Sequence, residues 1–184
     1  MKIGMGTGST GVRGSRRRGR LAVTAAAVAL ATAGAVAGGA ASAQASTGFT
    51  IGITPDNTSF LLLDVTGAST SLGTGVIDWV ADSGANQSWT FIPESDDVYE
   101  IENNNSGMCL TTDGVAGDQV YQFSCYGTPG QLWYTDLQPG GAEATIENQN
   151  SGLFLDVNGD SPWEGTIIDT WYYNGGYNQY FAAI

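Results

Sequence analysis

The chain has 184 residues and a formal net charge of −12, set by 18 Asp and Glu against 6 Lys and Arg, with no His. All the bases (Lys2, Arg13, Arg16, Arg17, Arg18 and Arg20) precede residue 21, and the first acid is Asp56. Without His there is no Ser-His-Asp or Cys-His machinery. Beyond residue 20 nothing can neutralise the phosphates of nucleic acid or of an anionic lipid surface. Two Cys beside carboxylates make a poor zinc set, so no metal or cofactor is expected. Paired-carboxylate catalysis and Ca²⁺ binding through acidic oxygens stay open on composition.

In chain order, residues 1–45 read as a secretory signal. A basic head is followed by an uncharged Ala/Val-rich stretch from Leu21 to Ala37 and by two Ala-x-Ala sites, Ala41-Ser42-Ala43 and Ala43-Gln44-Ala45. The alternative is an uncleaved anchor, which the Ala-rich composition with Gly34, Gly38 and Gly39 argues against. Arg17-Arg18 also suits the twin-arginine route. Cleavage after Ala45 gives an extracellular protein free of the membrane, residues 46–184, keeping all 18 acids and none of the bases.

Residues 46–184 suffice for one domain with a core. Short apolar runs between Gly, Asn, Ser, Thr and Asp predict many short strands, and no helical periodicity follows the signal. Three units are legible, at about 49–93, 94–138 and 139–184. Ile101-Glu102-Asn103-Asn104-Asn105-Ser106-Gly107 matches Ile146-Glu147-Asn148-Gln149-Asn150-Ser151-Gly152 at all but one position. The first unit's counterpart, residues 51–59, is more diverged. Each unit opens on Leu63-Asp64-Val65, Leu110-Thr111-Thr112 or Leu155-Asp156-Val157, and closes on Gln87-Ser88-Trp89, Gln131-Leu132-Trp133 or Gln179-Tyr180-Phe181. Trp79, Phe123 and Trp171 precede the three Gln at constant spacing.

One such unit cannot bury its apolar face alone, whereas three around a pseudo-threefold axis can. With about four strands each they would form a closed barrel with hairpins across one end, leaving no sheet edge. Trp89, Trp133, Phe181, Leu63, Leu110 and Leu155 are then core. Cys109 and Cys125 read as a disulfide in an exported chain, closing a loop of about 15 residues worth roughly 3 kcal/mol; two free thiols are the alternative. The aligned outer pairs, Leu62 with Ala81 and Phe154 with Tyr173, would fill the same space by apolar contact.

The three Gln-x-Trp/Phe closings, the Leu-Asp-Val openings and the internal Cys pair resemble the ricin-B-type lectins, a family of β-trefoil carbohydrate-binding modules, over residues 49–184. The resemblance implies an all-β β-trefoil in which each unit can hold one sugar pocket. The opening Asp, the aromatic, the position two before it, and the Asn-Gln before the closing aromatic would line it. The first unit supplies Asp64, Trp79, Asn86 and Gln87; the third supplies Asp156, Asp169, Trp171, Asn178 and Gln179. Ile77 stands in the first unit where Asp169 stands in the third. The middle unit has Thr111 for the Asp, Gly130 for the Asn and a shorter loop, so its site is expected to be dead.

The chemistry suits a neutral ring. Its C–H face packs on a flat aromatic, an ionised Asp accepts from adjacent hydroxyls, and an Asn amide donates and accepts. The expectation is a secreted, non-catalytic, monomeric lectin module taking galactose- or xylan-type sugars, as the family commonly does. Each residue also has a scaffold reading: Asp as a turn residue, Gln as a brace, Trp as core. A β-trefoil protein-interaction module without sugar binding is the main rival. Catalysis by Asp96, Asp97 and Glu100 is a lesser one, as is a Ca²⁺-dependent site.

Overall fold

β-Branched and aromatic residues in runs of two to seven, broken by Gly, Asn, Asp and Pro, form short strands and little else. The computed structural model describes residues 48–58 and 60–184; the signal reading of residues 1–45 lies outside the described residues. The strands are β1 (Phe49–Ile51), β2 (Ile53–Pro55), β3 (Leu61–Val65), β4 (Val76–Val80), β5 (Trp89–Ser95), β6 (Val98–Asn103) and β7 (Met108–Thr111). They continue as β8 (Tyr121–Phe123), β9 (Trp133–Tyr134), β10 (Glu147–Asn148), β11 (Phe154–Val157), β12 (Ile168–Trp171) and β13 (Phe181–Ala183).

The barrel runs through antiparallel pairs β1–β5, β5–β6, β6–β9 and β9–β10, then through the Ala144–Phe181 bridge to β13, which pairs with β2. The last strand thus meets β2, which follows β1 directly, and among the described residues the ring closes on itself. Hairpins β3–β4, β7–β8 and β11–β12 cover one end. They join each other through the bridges Gly75–Tyr121, Ile77–Ile167 and Gln119–Asp169. This is a β-trefoil of three units with about four strands each.

The core repeats with the fold. Ile53, Ile101 and Ile146 form one layer; Leu63, Leu110 and Leu155 a second; Val76, Val120 and Ile168 a third; Trp89, Trp133 and Phe181 a fourth, all fully buried. A buried indole N–H needs an acceptor. Trp89 Nε1 donates to the Leu63 carbonyl and Trp133 Nε1 to that of Leu110, both at 3.0 Å.

Register corrects one sequence alignment. Phe181 pairs with Pro55 as Trp89 pairs with Asn103 and Trp133 with Asn148, so Ile53, not Ile51, is the counterpart of Ile101 and Ile146. The shared Ile-Glu-Asn has a structural reason. Asn103 Nδ2 donates to the Asn86 carbonyl (2.9 Å), and Asn148 Nδ2 to those of Pro129 and Leu132 (3.1 and 3.2 Å). Each therefore pins the closing turn of the preceding unit. Cys109 and Cys125 are bonded. In the third unit the rings of Phe154 and Tyr173 lie 5.1 Å apart, and in the first Leu62 and Ala81 line one apolar cavity.

Candidate functional site

Strand alternation places the outer sites. Side chains directly opposite in an antiparallel pair share a face, as do residues two apart along one strand. Asp64 pairs with Ile77, so Trp79 shares their face; Asp156 pairs with Asp169, so Trp171 shares theirs. The 3₁₀ turns Ala85–Gln87 and Tyr177–Gln179 then bring an Asn onto each Asp. The result is two concave sites. The first, about 350 Å³, is lined by Asp64, Thr66, Ile77, Trp79, Asp82 and Asn86. The third, about 570 Å³, is lined by Asp156, Asn158, Asp160, Asp169, Trp171 and Asn178, among others.

Asn86 Nδ2 donates to Asp64 Oδ2 at 2.7 Å, and Asn178 Nδ2 to Asp156 Oδ2 at 2.9 Å. These amides orient the carboxylates. Asp64 and Asp156 are 3 % and 4 % exposed, whereas Trp79 and Trp171 are 38 % and 43 % exposed. Each site is therefore a rigid, nearly buried acid beside an open aromatic face. Burial pushes Asp64 above the ordinary carboxylate range, although the amides of Gln87 and Asn86 pull it down. Burial also pushes Asp156 up to about 6, against Gln179 and Asn178 and with the charges of Asp169 and Asp160 adding to the rise. Asp169 rises through burial too, with Asn158 opposing.

The three Gln lie behind the sites, at 2 % exposure or less. Gln87 Nε2 donates to Asp64 Oδ2 (2.9 Å) and to the Val80 carbonyl (2.8 Å), while its Oε1 accepts from Asp82 N–H (3.0 Å). Gln179 braces Tyr172 and Asn174 in the same manner, and Gln131 braces Ser124 and Tyr126. Gln87 and Gln179 thus sit outside both cavity linings. They hold the loop that carries the Asn, and Gln87 also anchors the Asp.

The middle unit lacks the carboxylate, and the position of the Asn is blocked as well. A Cβ at Gly130 would meet the Thr112 carbonyl oxygen at 2.3 Å. No side chain can stand where Asn86 and Asn178 stand without moving backbone. Phe123 remains exposed, and Thr111 donates its hydroxyl to the Cys109 carbonyl. The acids weighed as catalytic do not face one another across a cleft. Asp96 and Asp97 are exposed in the β5–β6 turn, and Glu100 accepts from Gly127 N–H at 2.7 Å.

Three features escaped the sequence reading. Asn158, two residues after Asp156, donates to Asp169 Oδ2 at 2.7 Å and lines the third site; aligning it with Thr66 would have found it. Asp78, beside Trp79 in sequence, is fully buried, and burial pushes it up to about 6 although Thr166 N–H donates to it. Each Trp is also backed by another unit. A Cβ at Gly165 would stand 3.4 Å from Trp79, and one at Gly117 3.1 Å from Trp171.

Comparison with known proteins matches a model of the ricin-type β-trefoil lectin domain-like family to residues 43–122, 85–171 and 129–183. Among solved structures, the designed threefold-symmetric protein ThreeFoil is 28 % identical, with a TM-score of 0.69 over 73 % of this chain and 97 % of its own. The C-half of an earthworm R-type lectin, solved in complex with GalNAc, is 19 % identical, with a TM-score of 0.59 over 73 % of this chain and 96 % of its own. 1,3Gal43A, an exo-β-1,3-galactanase from Clostridium thermocellum, is 24 % identical, with a TM-score of 0.66; the match covers 73 % of this chain but 30 % of the galactanase. No curated protein matched.

Proposed function

Because the chain belongs to the ricin-type β-trefoil lectin-like family, we propose that it is a secreted, monomeric carbohydrate-binding module with two sugar sites and no catalytic activity of its own. One observation carries this reading: both outer cavities set an exposed indole beside a buried, amide-oriented carboxylate. The aromatic face takes the C–H side of a sugar ring and the carboxylate accepts from its hydroxyls. Asp64, Trp79 and Asn86 contact sugar in the first site; Asp156, Asp169, Trp171 and Asn178 do so in the third. Gln87 and Gln179 support them from behind. The GalNAc bound by the earthworm lectin supports a galactose-type ligand. Two sites on one scaffold grip a polymer by avidity.

A glycan array probed with residues 46–184 tests this, beside an Asp64→Ala/Asp156→Ala variant checked for unchanged melting. Binding to one sugar class that the variant loses supports the reading. A folded wild type that binds no glycan sinks it and favours a protein-interaction role. Turnover of chromogenic glycosides would contradict the non-catalytic part.

A further inference from the structure

The two cavities share a plan but differ in charge. Where the first has Ile77 opposite Asp64, the third has Asp169 opposite Asp156. Asp169 is 1 % exposed and lines the cavity. Its Oδ2 accepts from Asn158 at 2.7 Å, while its Oδ1 is buried without a hydrogen-bond partner among the described residues. A third acid, Asp160, lines the same cavity, where the first has Ala68. An unpartnered buried carboxylate oxygen is costly, and so are two carboxylates on one small face. Among the described residues no cation can compensate them, because no Lys, Arg or His follows residue 20.

The missing positive charge would come from the ligand. Resting on the sugar-binding reading above, we propose that the third cavity is a subsite for glycans bearing a free primary amine, 2-amino-2-deoxy sugars, in preference to their N-acetylated or neutral counterparts. An ammonium has three donors. It faces the carboxylates of Asp156 and Asp169, draws Asp169 Oδ1 round from its buried position to meet it, and lies on the electron-rich face of Trp171. An N-acetyl group has one N–H and no charge. The first cavity carries Asp64 and Asp82 but has Ile77 in that place, so it lacks the unpartnered buried carboxylate and discriminates less.

The test is titration at pH 6.5 with a glucosamine trimer, its N-acetylated counterpart and the corresponding galactosamine pair, in a Trp79→Ala background that leaves the third cavity to report alone. The free-amine ligand of at least one pair should bind about tenfold tighter, by an amount that shrinks with added salt. Asp169→Asn keeps an acceptor for Asn158 and should bring the two ligands of that pair level. Asp96→Asn, in the exposed β5–β6 turn, should leave the preference intact. Equal affinities in the parent, a preference that survives Asp169→Asn, equal loss in both variants, or a requirement for added Ca²⁺ would each overturn the inference. A protein that binds neutral glycans without an amine preference loses this inference alone. One that binds nothing on a broad glycan array loses the sugar-binding reading with it.

Discussion

Gly165, in the hairpin loop of the third unit, lies against the indole of Trp79 in the first, and its N–H donates to the Asp78 carbonyl at 2.7 Å. Gly117 of the second unit stands in the same relation to Trp171 of the third, donating to Thr170 at 2.8 Å. Both have φ in the left-handed region, +84° and +89°. An added methyl therefore meets backbone strain at both positions and, at Gly117, a tight approach to the ring as well. Alanine at either position should cost about 1–3 kcal/mol. Gly165→Ala should weaken the first site several-fold and spare the third; Gly117→Ala should do the reverse. Site-resolved titration in Trp171→Ala and Trp79→Ala backgrounds checks this, and equal weakening of both sites by either variant would contradict it.

Stability should fall as pH rises from acid to neutral. Burial lifts Asp78 and Asp156 from 3.8 to about 6 and raises Asp64 and Asp169 as well. Between about pH 4 and 6 the folded chain thus holds protons that the unfolded chain has released, and stability declines through that window. The melting temperature at pH 4.5 should exceed that at pH 7.5 by several degrees. Asp78→Asn should raise the value at pH 7.5 and change little at pH 4.5. A melting temperature that climbs from pH 4.5 to 7.5 would contradict the account.

Binding should move the opposite way. Asp156 accepts strong hydrogen bonds when ionised. Its elevation to about 6 predicts that third-site affinity for a neutral sugar falls as pH drops through that value. Titration of the Trp79→Ala variant between pH 5 and 7.5 measures this, and a flat profile would exclude Asp156 as the charged acceptor.

Restoring the motif should not restore the middle site. Thr111→Asp with Gly130→Asn rewrites the sequence of the outer units, but the Asn Cβ would sit 2.3 Å from the Thr112 oxygen. The expected result is a lower melting temperature and no additional site by titration. A folded double variant with a third equivalent of bound sugar would disprove the steric argument.

The core was legible because its period is the fold's period. Leu63, Leu110 and Leu155 and the aromatics Trp89, Trp133 and Phe181 recur with the units and all end fully buried. The arrangement of Asp64, Trp79 and Asn86, repeated at Asp156, Trp171 and Asn178, was legible because alternation along one hairpin converts spacing into a shared face. Contacts between units were not. Spacing within a unit carries nothing about Gly165 reaching Trp79, nor about the Phe181–Pro55 register that makes Ile53 the barrel residue. The Gln residues resemble ligand contacts in sequence, since an amide next to Asn suits a sugar as well as a loop. Only their bonds to Val80, Ser124 and Tyr172 reveal the brace.

That brace has its own consequence. Gln131 serves the unit that lacks the Asp and the Asn, yet it makes the same loop contacts as Gln87. Gln131→Ala should cost about 1–3 kcal/mol by removing both hydrogen bonds to the Ser124 and Tyr126 backbone, without changing sugar affinity. Denaturant unfolding and titration of one preparation check both halves.

The central claim, that Trp79 and Trp171 are the sugar platforms of two separate sites, is tested most directly by isothermal titration with the best oligosaccharide from an array. Wild type should bind two equivalents per chain, Trp79→Ala and Trp171→Ala one each, and the double variant none, all with melting temperatures near wild type. A folded double variant that still binds with wild-type stoichiometry would contradict the claim.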